Sequence, residues 1–325
     1  MSDNKKSGLS RAARSVREAG RVLRGKKKHT KPTYIDQQSK DKTSAENQLP
    51  VANQGVTKPT YIDQLSKDKT SAENQFPAAD QGVIVDIGMN DGKDTVYYRK
   101  RGFEVIAVEA IPDLCAAMSD YFSDLEVNGV DIRNFAVTDD GKDEVTFYVN
   151  KYNTAWSSVK EEYGSRKDGA EKIVVPTIDL SQALQPVSKQ ILYVKIDIEG
   201  LDKVALKQVM ALPDLPSYVS VENGSLSMLN TLHENGYDRF KFSNQKYVEY
   251  QIIAPSSPHG HIPVHTFKSS ASGVFGEDLP GAWIQYEDAV KIQKALKEAR
   301  RTAPDNLFSM AIGWFDLHAK HSSAK

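Results

Sequence analysis

Residues 82–92 read GVIVDIGMNDG, an apolar run rich in β-branched residues that closes on two glycines four apart. Such a run, bounded by turn residues, predicts a strand buried on both faces, as in a parallel sheet. Gly88 and Gly92 let the backbone turn sharply and come close to a ligand. The helix that follows offers free N–H groups and a partial positive charge. FEVIAVEA (103–110) is the next strand and ends in Glu109, 21 residues beyond Gly88. A carboxylate there can accept both ribose hydroxyls of an adenine nucleoside. The full G-x-G-x-x-G pattern is absent, and Asn90 and Asp91 put side chains where a pyrophosphate needs bare backbone. The pattern therefore predicts an adenine nucleoside with an anionic end rather than a dinucleotide. The plain alternative is an Asn-Asp-Gly turn that joins strand to helix and binds nothing.

Outward from this unit, strands alternate with helical patterns. Helices are predicted at 94–102, 112–122 and 201–210, the second with Pro112 near its start. Further strands are predicted at 130–137, 144–150, 172–176, 191–200 and 217–223, and an edge or antiparallel strand at 246–254. This alternation predicts an α/β fold with a mostly parallel sheet covered on both faces. In such sheets ligands bind beyond the carboxyl ends of the strands, near a topological switch point.

In order and spacing, VIVDIGMNDG, VIAVEA, NFAVTDDGKDEVTFYV, VPTIDL and YVKIDIEG resemble the FkbM family of methyltransferases. The likeness covers about 82–320, with GVFGEDLPG and GWFDLHA similar to stretches of some members. It implies a Rossmann-like class I methyltransferase with seven strands, and transfer of the S-adenosylmethionine methyl group to a hydroxyl. Acceptors in the family include sugars and polyketide-type products. The cofactor residues this implies are Asp86, Gly88, Asn90, Gly92, Glu109 and Asn134. Met89-Asn90-Asp91 departs from the usual small residue and Asn at that loop.

Catalysis is expected at the ends of the fourth and fifth strands of that order. Asp197 and Glu199 stand two apart, so strand alternation puts them on one face with Lys195 below, and Glu222 joins from the neighbouring strand. A carboxylate of pKa near ~4 is a weak base for an alcohol. Two functional readings stay open: the carboxylates position and deprotonate the acceptor, or they hold a Mg²⁺ ion that acidifies it. The metal-free reading is preferred. Structurally, Glu199 would also suit the N-terminus of the following helix. His259, His261 and His265 form a loop cluster in which one histidine could serve as base, against the default of an ordinary loop. His318, in WFDLHA, is a similar candidate. Trp314 and Phe315 could stack on a sugar, although core packing is their commoner use, and Ser157 and Ser158 could border the acceptor pocket.

The 325 residues contain one cysteine, Cys115, so no internal disulfide forms, and a reducing, cytoplasmic setting fits best. No apolar run approaches a membrane span. The net charge of −1 hides an imbalance: residues 1–31 carry eleven Lys or Arg against Asp3 and Glu18, and the remainder is about −10. The organisation expected is a basic arm (1–29), a duplicated polar segment (30–81) and a catalytic domain (82–325). In the arm, Arg11, Arg14, Arg17, Arg21 and Arg24 oppose a thin alanine-rich face. It would lie weakly on an anionic membrane surface or an acidic partner, leaving the protein peripheral, or remain a solvated tail. Residues 30–56 recur as 57–83 with four differences, a period of 27. Two copies are too few for a solenoid, and their polarity predicts a linker or frayed helix, the second copy leading into Val83. The acidic catalytic portion argues against a nucleic-acid acceptor. A non-catalytic scaffolding module and a nicotinamide-dependent oxidoreductase are the competing functions. The missing third glycine and the acidic fourth strand end disfavour the oxidoreductase.

Overall fold

The structure, a computed structural model, describes residues 61–167, 169–185, 189–302 and 313–324. All of them belong to one compact unit, Gly55–Lys325. The basic arm and the first repeat copy lie outside the described residues.

The described residues form nine strands: β1 (Val83–Ile87), β2 (Glu104–Glu109), β3 (Val130–Asn134), β4 (Glu144–Asn150), β5 (Ala170–Pro176), β6 (Ile191–Ile196), β7 (Tyr218–Val221), β8 (Tyr237–Asn244) and β9 (Phe315–His321). Among them run helices α1 (Tyr61–Gln64), α2 (Lys93–Lys100), α3 (Pro112–Asp124), α4 (Glu161–Gly164), α5 (Leu180–Ala183), α6 (Asp202–Val209), α7 (Leu226–Glu234) and α8 (Tyr286–Thr302). Seven strands make one sheet in the order β3-β2-β1-β6-β7-β9-β8. β9 runs antiparallel to both its neighbours, and the other pairings are parallel. The chain steps outward from β1 to β3, then returns to place β6 on the other side of β1. That reversal is the topological switch point, and it puts the ends of β1 and β6 side by side.

The core divides as the strand pattern requires. Ile84, Val105 and Tyr193 pack on the face covered by α2 and α3, with Tyr97, Tyr98 and Phe275. Val85, Ile87, Val194 and Val219 pack on the face covered by α6 and α7, with Leu206 and Leu229. β4 and β5 form a separate antiparallel ribbon between β3 and β6, joined to the rest by an Ala136–Thr177 bridge.

Three parts differ from the sequence expectations. The edge strand expected at 246–254 does not form: 245–250 is a 3-10 turn, and Tyr250 and Ile252 are 77% and 87% exposed. The strand lies just upstream as β8, whose Tyr237, Phe240 and Lys241 are buried. Alternation is a poor guide here because the stretch finds no neighbouring strand: Val248 is buried in the core, whereas Tyr247, Tyr250 and Ile252 are exposed. β9 and the helices α7 and α8 fill stretches in which the periodicity predicts no element. Third, the second repeat copy is packed over its described part, from Tyr61 onward. Ile62 is buried, and Tyr61, Leu65 and Phe76 sit against the core. The Phe76 ring meets Phe122 of α3 edge-on at 5.9 Å, and the Tyr121 hydroxyl donates to Asn74 Oδ1 at 3.1 Å. Lys67 and Lys69 pair with Asp124 and Glu126 at the end of α3. A composition-based reading missed this because four apolar side chains spread over sixteen residues suffice to dock a polar segment.

Two of the four differences between the copies fall on docking positions, Leu65 for Gln38 and Phe76 for Leu49. Phe76→Ala should cost about 2–3 kcal/mol, less than the ~3–5 kcal/mol of a fully buried phenylalanine because Phe76 is only partly covered. Leu65→Gln, which installs the first copy's residue, should cost about 1–2 kcal/mol by placing an amide on apolar surface. Thermal and urea unfolding of both variants check this; wild-type midpoints would mean the segment adds nothing to the fold.

Candidate active site

The site is built where β1 and β6 end. Gly88 follows β1 with φ +87°, and a side chain on it would collide with the Asp197 carbonyl. Only glycine lets the two strand ends close here. Asn90 has φ +50°, Glu199 +48° and Asn223 +48°. Three of the turns that leave strands β1, β6 and β7 thus carry a left-handed non-glycine residue, a conformation enriched at functional sites.

Beneath these turns sits a buried charge cluster. Lys195 Nζ lies 3.2 Å from Asp86 Oδ1, 3.3 Å from Asp94 Oδ2 and 3.7 Å from Asp197 Oδ2, and donates to the Gly88 carbonyl at 3.1 Å. Burial alone would depress the ammonium, but these carboxylates outweigh it and hold Lys195 well above the ordinary lysine range. Thr95 Oγ1 donates to Asp86 at 2.6 Å, and the Ser272 amide to Asp94 at 2.9 Å. Desolvation still lifts Asp94 to about 6. One ammonium therefore serves three carboxylates. Nearby, burial and the Asp197 charge push Asp316 and Glu222 well above the carboxylate range.

Above the cluster lies an open cleft. Gly88, Asn90 and Glu109 form one wall, Asp197 and Glu199 another, and Thr154 with Ala155 close the side. Glu109 accepts the Asn90 amide at 2.7 Å and the Ile111 amide at 2.8 Å, so it also clamps the glycine turn. Burial raises its carboxyl against the pull of those amides. Cys115, buried behind it, donates its thiol to the Glu109 carbonyl at 3.4 Å, and burial pushes that thiol up to about 12. Thr154 Oγ1 donates to Asn90 Oδ1 at 2.8 Å, which ties the β4–β5 excursion to the turn after β1.

The expected residues separate into two groups. Gly88, Asn90, Glu109, Asp197 and Glu199 line the cleft together. Asp86 lies under it, held by Thr95 and Lys195. Gly92 caps α2 and packs on Met118. Asn134 donates to the Glu109 and Ala110 carbonyls, so it shapes the end of β2. Glu222 is one strand over; its amide bonds to the Ile196 carbonyl. The alternation argument for Asp197 and Glu199 fails in one respect. β6 stops at Ile196, so Glu199 is placed by its left-handed turn, and its Oε1 turns to Arg166 Nη2 at 2.9 Å.

Ser157 borders the cleft and Ser158 donates to the Glu199 carbonyl at 2.7 Å. The histidine loop does not reach the cleft. His259 accepts the Glu277 amide and His261 bonds to the Arg101 carbonyl through its own amide, while the His265 ring packs on Tyr97 and Phe267. Its work is to bury Arg101, whose guanidinium pairs with Asp278 at 2.7 Å and reaches the His259 carbonyl. His318 is inside β9, and Trp314 and Phe315 lie away from the cleft lining. Among the described residues, no three His, Cys, Asp or Glu side chains gather closely enough to hold a metal ion.

Comparison with protein families matches residues 86–238 to the methyltransferase FkbM domain. These residues form a methyltransferase domain of the FkbM family. It begins at Asp86 of β1 and ends within β8, so it contains every cleft residue named above, while α8 and β9 lie beyond it. Solved structures show weak likeness to this methyltransferase. A precorrin-6y C5,15-methyltransferase from Geobacter metallireducens is 11% identical with a TM-score of 0.29, covering 54% of this chain and 72% of its own. An rRNA methylase from Streptococcus thermophilus is 11% identical with a TM-score of 0.27, covering 55% and 83%. Both are too distant to bear on the acceptor. The search of curated proteins found no match. No helix among the described residues is long and apolar enough to cross a membrane.

His318 gives the sheet an acid sensitivity. Burial lowers its pKa to about 3. The unfolded chain takes up this proton near the ordinary value of ~6.5, so stability is lost as pH falls from there toward 3. Asp94 works in the opposite sense, since a raised acid gains stability as pH falls through about 6. His318→Leu should flatten the stability profile between pH 6 and 4 by about 1.4 kcal/mol per pH unit, the slope of one proton. Urea unfolding across that range reads it, and parallel profiles would show that His318 is not the group titrating.

Proposed function

We propose that this methyltransferase uses S-adenosylmethionine to methylate a hydroxyl of a sugar, glycan or related small molecule. The observation that carries the proposal is the shared cleft, in which Gly88, Asn90 and Glu109 face Asp197 and Glu199. The bare Gly88 backbone suits a ligand's amino-acid end. Glu109 keeps lone pairs free beyond its two amide donors, which suits a ribose diol. The surplus of carboxylates over the single Lys195 ammonium suits a sulfonium cation. S-adenosylmethionine would supply an electrophilic methyl group with a good neutral leaving group. The charge of the portion outside the basic arm favours a small acceptor over a nucleic acid.

The chain's own residues have two tasks. The first is to hold the acceptor oxygen in line, which supplies much of the acceleration in a displacement of this kind. Asp197, with its side chain 30% exposed toward the cleft, is placed to accept the hydroxyl hydrogen bond. The second is to remove the proton. A hydroxyl becomes strongly acidic once its oxygen begins to bond carbon, so a carboxylate is base enough late in the step. Glu199 is committed to Arg166, and Glu222 stands by as a neighbouring carboxyl held high.

Incubation with labelled S-adenosylmethionine and a panel of sugars and glycans tests the reaction, and calorimetry tests the donor. S-adenosylhomocysteine should bind and NAD should not; the reverse result would overturn the cofactor assignment. Glu109→Gln should weaken S-adenosylhomocysteine binding by about 1–3 kcal/mol, the cost of stranding buried donors. Asp197→Asn should leave that affinity intact and cut turnover by about 10²–10⁴-fold, the usual worth of a general base. Turnover abolished by a chelator and restored by Mg²⁺ would instead favour a bound cation. Wild-type turnover in Asp197→Asn and Glu199→Gln alike would remove both residues from the mechanism.

A further inference from the structure

One wall of the cleft continues outward into a group of side chains that the methyl-transfer site does not use. Thr154 and Ala155 line the cleft, and the next side chain, Trp156, stacks on Tyr152 with ring centroids 5.5 Å apart and planes 21° apart. Lys167 Nζ lies 3.8 Å from the Tyr152 ring centre and 4.7 Å from that of Trp156. The Arg166 guanidinium lies 5.1 Å from the Trp156 ring and 2.9 Å from Glu199, which itself lines the cleft. Arg166 therefore fixes the group at the cleft mouth.

We infer that this rim is the acceptor subsite and that it selects an acceptor carrying an anionic group, a carboxylate or phosphate on a sugar-sized molecule. The inference rests on the methyl-transfer reading above and names the class of its substrate. Three features support it. Arg166 and Lys167 are consecutive cations, and Glu199 neutralises only the first; among the described residues no carboxylate pairs with Lys167. Lys167 also has φ +61°, an unfavourable conformation for a lysine, and this turn carries its ammonium back over the two rings. The rings hold the ammonium by cation–π attraction, which positions the charge without neutralising it. A stacked indole and phenol edge beside the charge gives the apolar part of a sugar a surface to lie on. By contrast, the cleft itself is lined by Glu109 and Asp197 with no basic side chain, so an anionic acceptor would be drawn to the rim and turned with its hydroxyl inward.

The test uses the full chain saturated with S-adenosylhomocysteine and titrated with glucuronate, glucose 6-phosphate and glucose. Glucose reports the ring contribution, and the two anions separate a carboxylate preference from a phosphate preference. At least one anion should bind about three- to fivefold more tightly than glucose, the size of an exposed ion pair. That margin should shrink as salt rises from 50 to 500 mM. Lys167→Gln should abolish the margin while leaving S-adenosylhomocysteine affinity unchanged, and Trp156→Leu should weaken all three sugars. Equal binding of glucose and both anions, a margin that survives Lys167→Gln, or no anion binding up to 50 mM overturns the inference. The cofactor titration stands apart from these arms. Loss of S-adenosylhomocysteine binding in the wild type would count against the methyl-transfer reading itself.

Discussion

A single buried ammonium holds the architecture of the cleft together. Lys195 on β6 reaches the carboxylates of β1, α2 and the turn after β6, and it also holds the Gly88 carbonyl. Taking these charges out of water is costly, and removing one partner of such a cluster strands the others. The cluster's value is therefore specificity of arrangement rather than gross stability. It brings the ends of the two strands that flank the switch point to one place and fixes the turns above them. It also leaves the floor of the cleft short of positive charge, a condition that a cationic donor would relieve.

The parts of the fold that the sequence reveals are those where each residue reports its own surroundings. β1, β2 and β6 are apolar apart from Asp86, Lys195 and the glutamates that begin and end β2, because both faces are covered, and the pattern shows this directly. Gly88 and Glu109 are legible because a glycine at a strand end and a carboxylate at the next one have few other uses together. The expectations weaken where placement depends on distant partners. Thr154 reaches Asn90 across 64 residues, and no local pattern announces that contact. The resemblance implies a ligand role for Asp86 and Asn134, and their side chains hold Thr95 and the Glu109 carbonyl through contacts that no local pattern announces. Glu199 points into the cleft region for a reason unrelated to strand alternation: β6 has already ended, and a left-handed residue redirects the chain. The 246–254 stretch shows the opposite failure, in which a clean alternation has no neighbouring strand to satisfy.

The excursion between β3 and β6 gives the common sheet its individuality. The sheet supplies the floor and the two glycine-edged turns, whereas the ribbon supplies Thr154, Ala155 and the ring pair. Its anchorage is polar and specific: Asn150 Nδ2 donates to the Gly164 and Arg166 carbonyls, and Ser158 holds the Glu199 carbonyl. Surface segments positioned by a rigid scaffold are where binding specificity commonly resides. A change of acceptor can thus be accommodated there without disturbing the charge cluster underneath.

Cys115 has a practical consequence. It is the chain's only thiol, it is buried, and it bonds to the Glu109 carbonyl beside the cleft. Thiolate is the reactive form, and burial keeps it scarce. Alkylation at this position must wait for α3 to lift from the end of β2. The rate of modification by a small maleimide is then a clock for local breathing of that corner, readable by mass without any engineered label. A ligand that braces Glu109 would slow the clock, so the native chain carries its own reporter of occupancy.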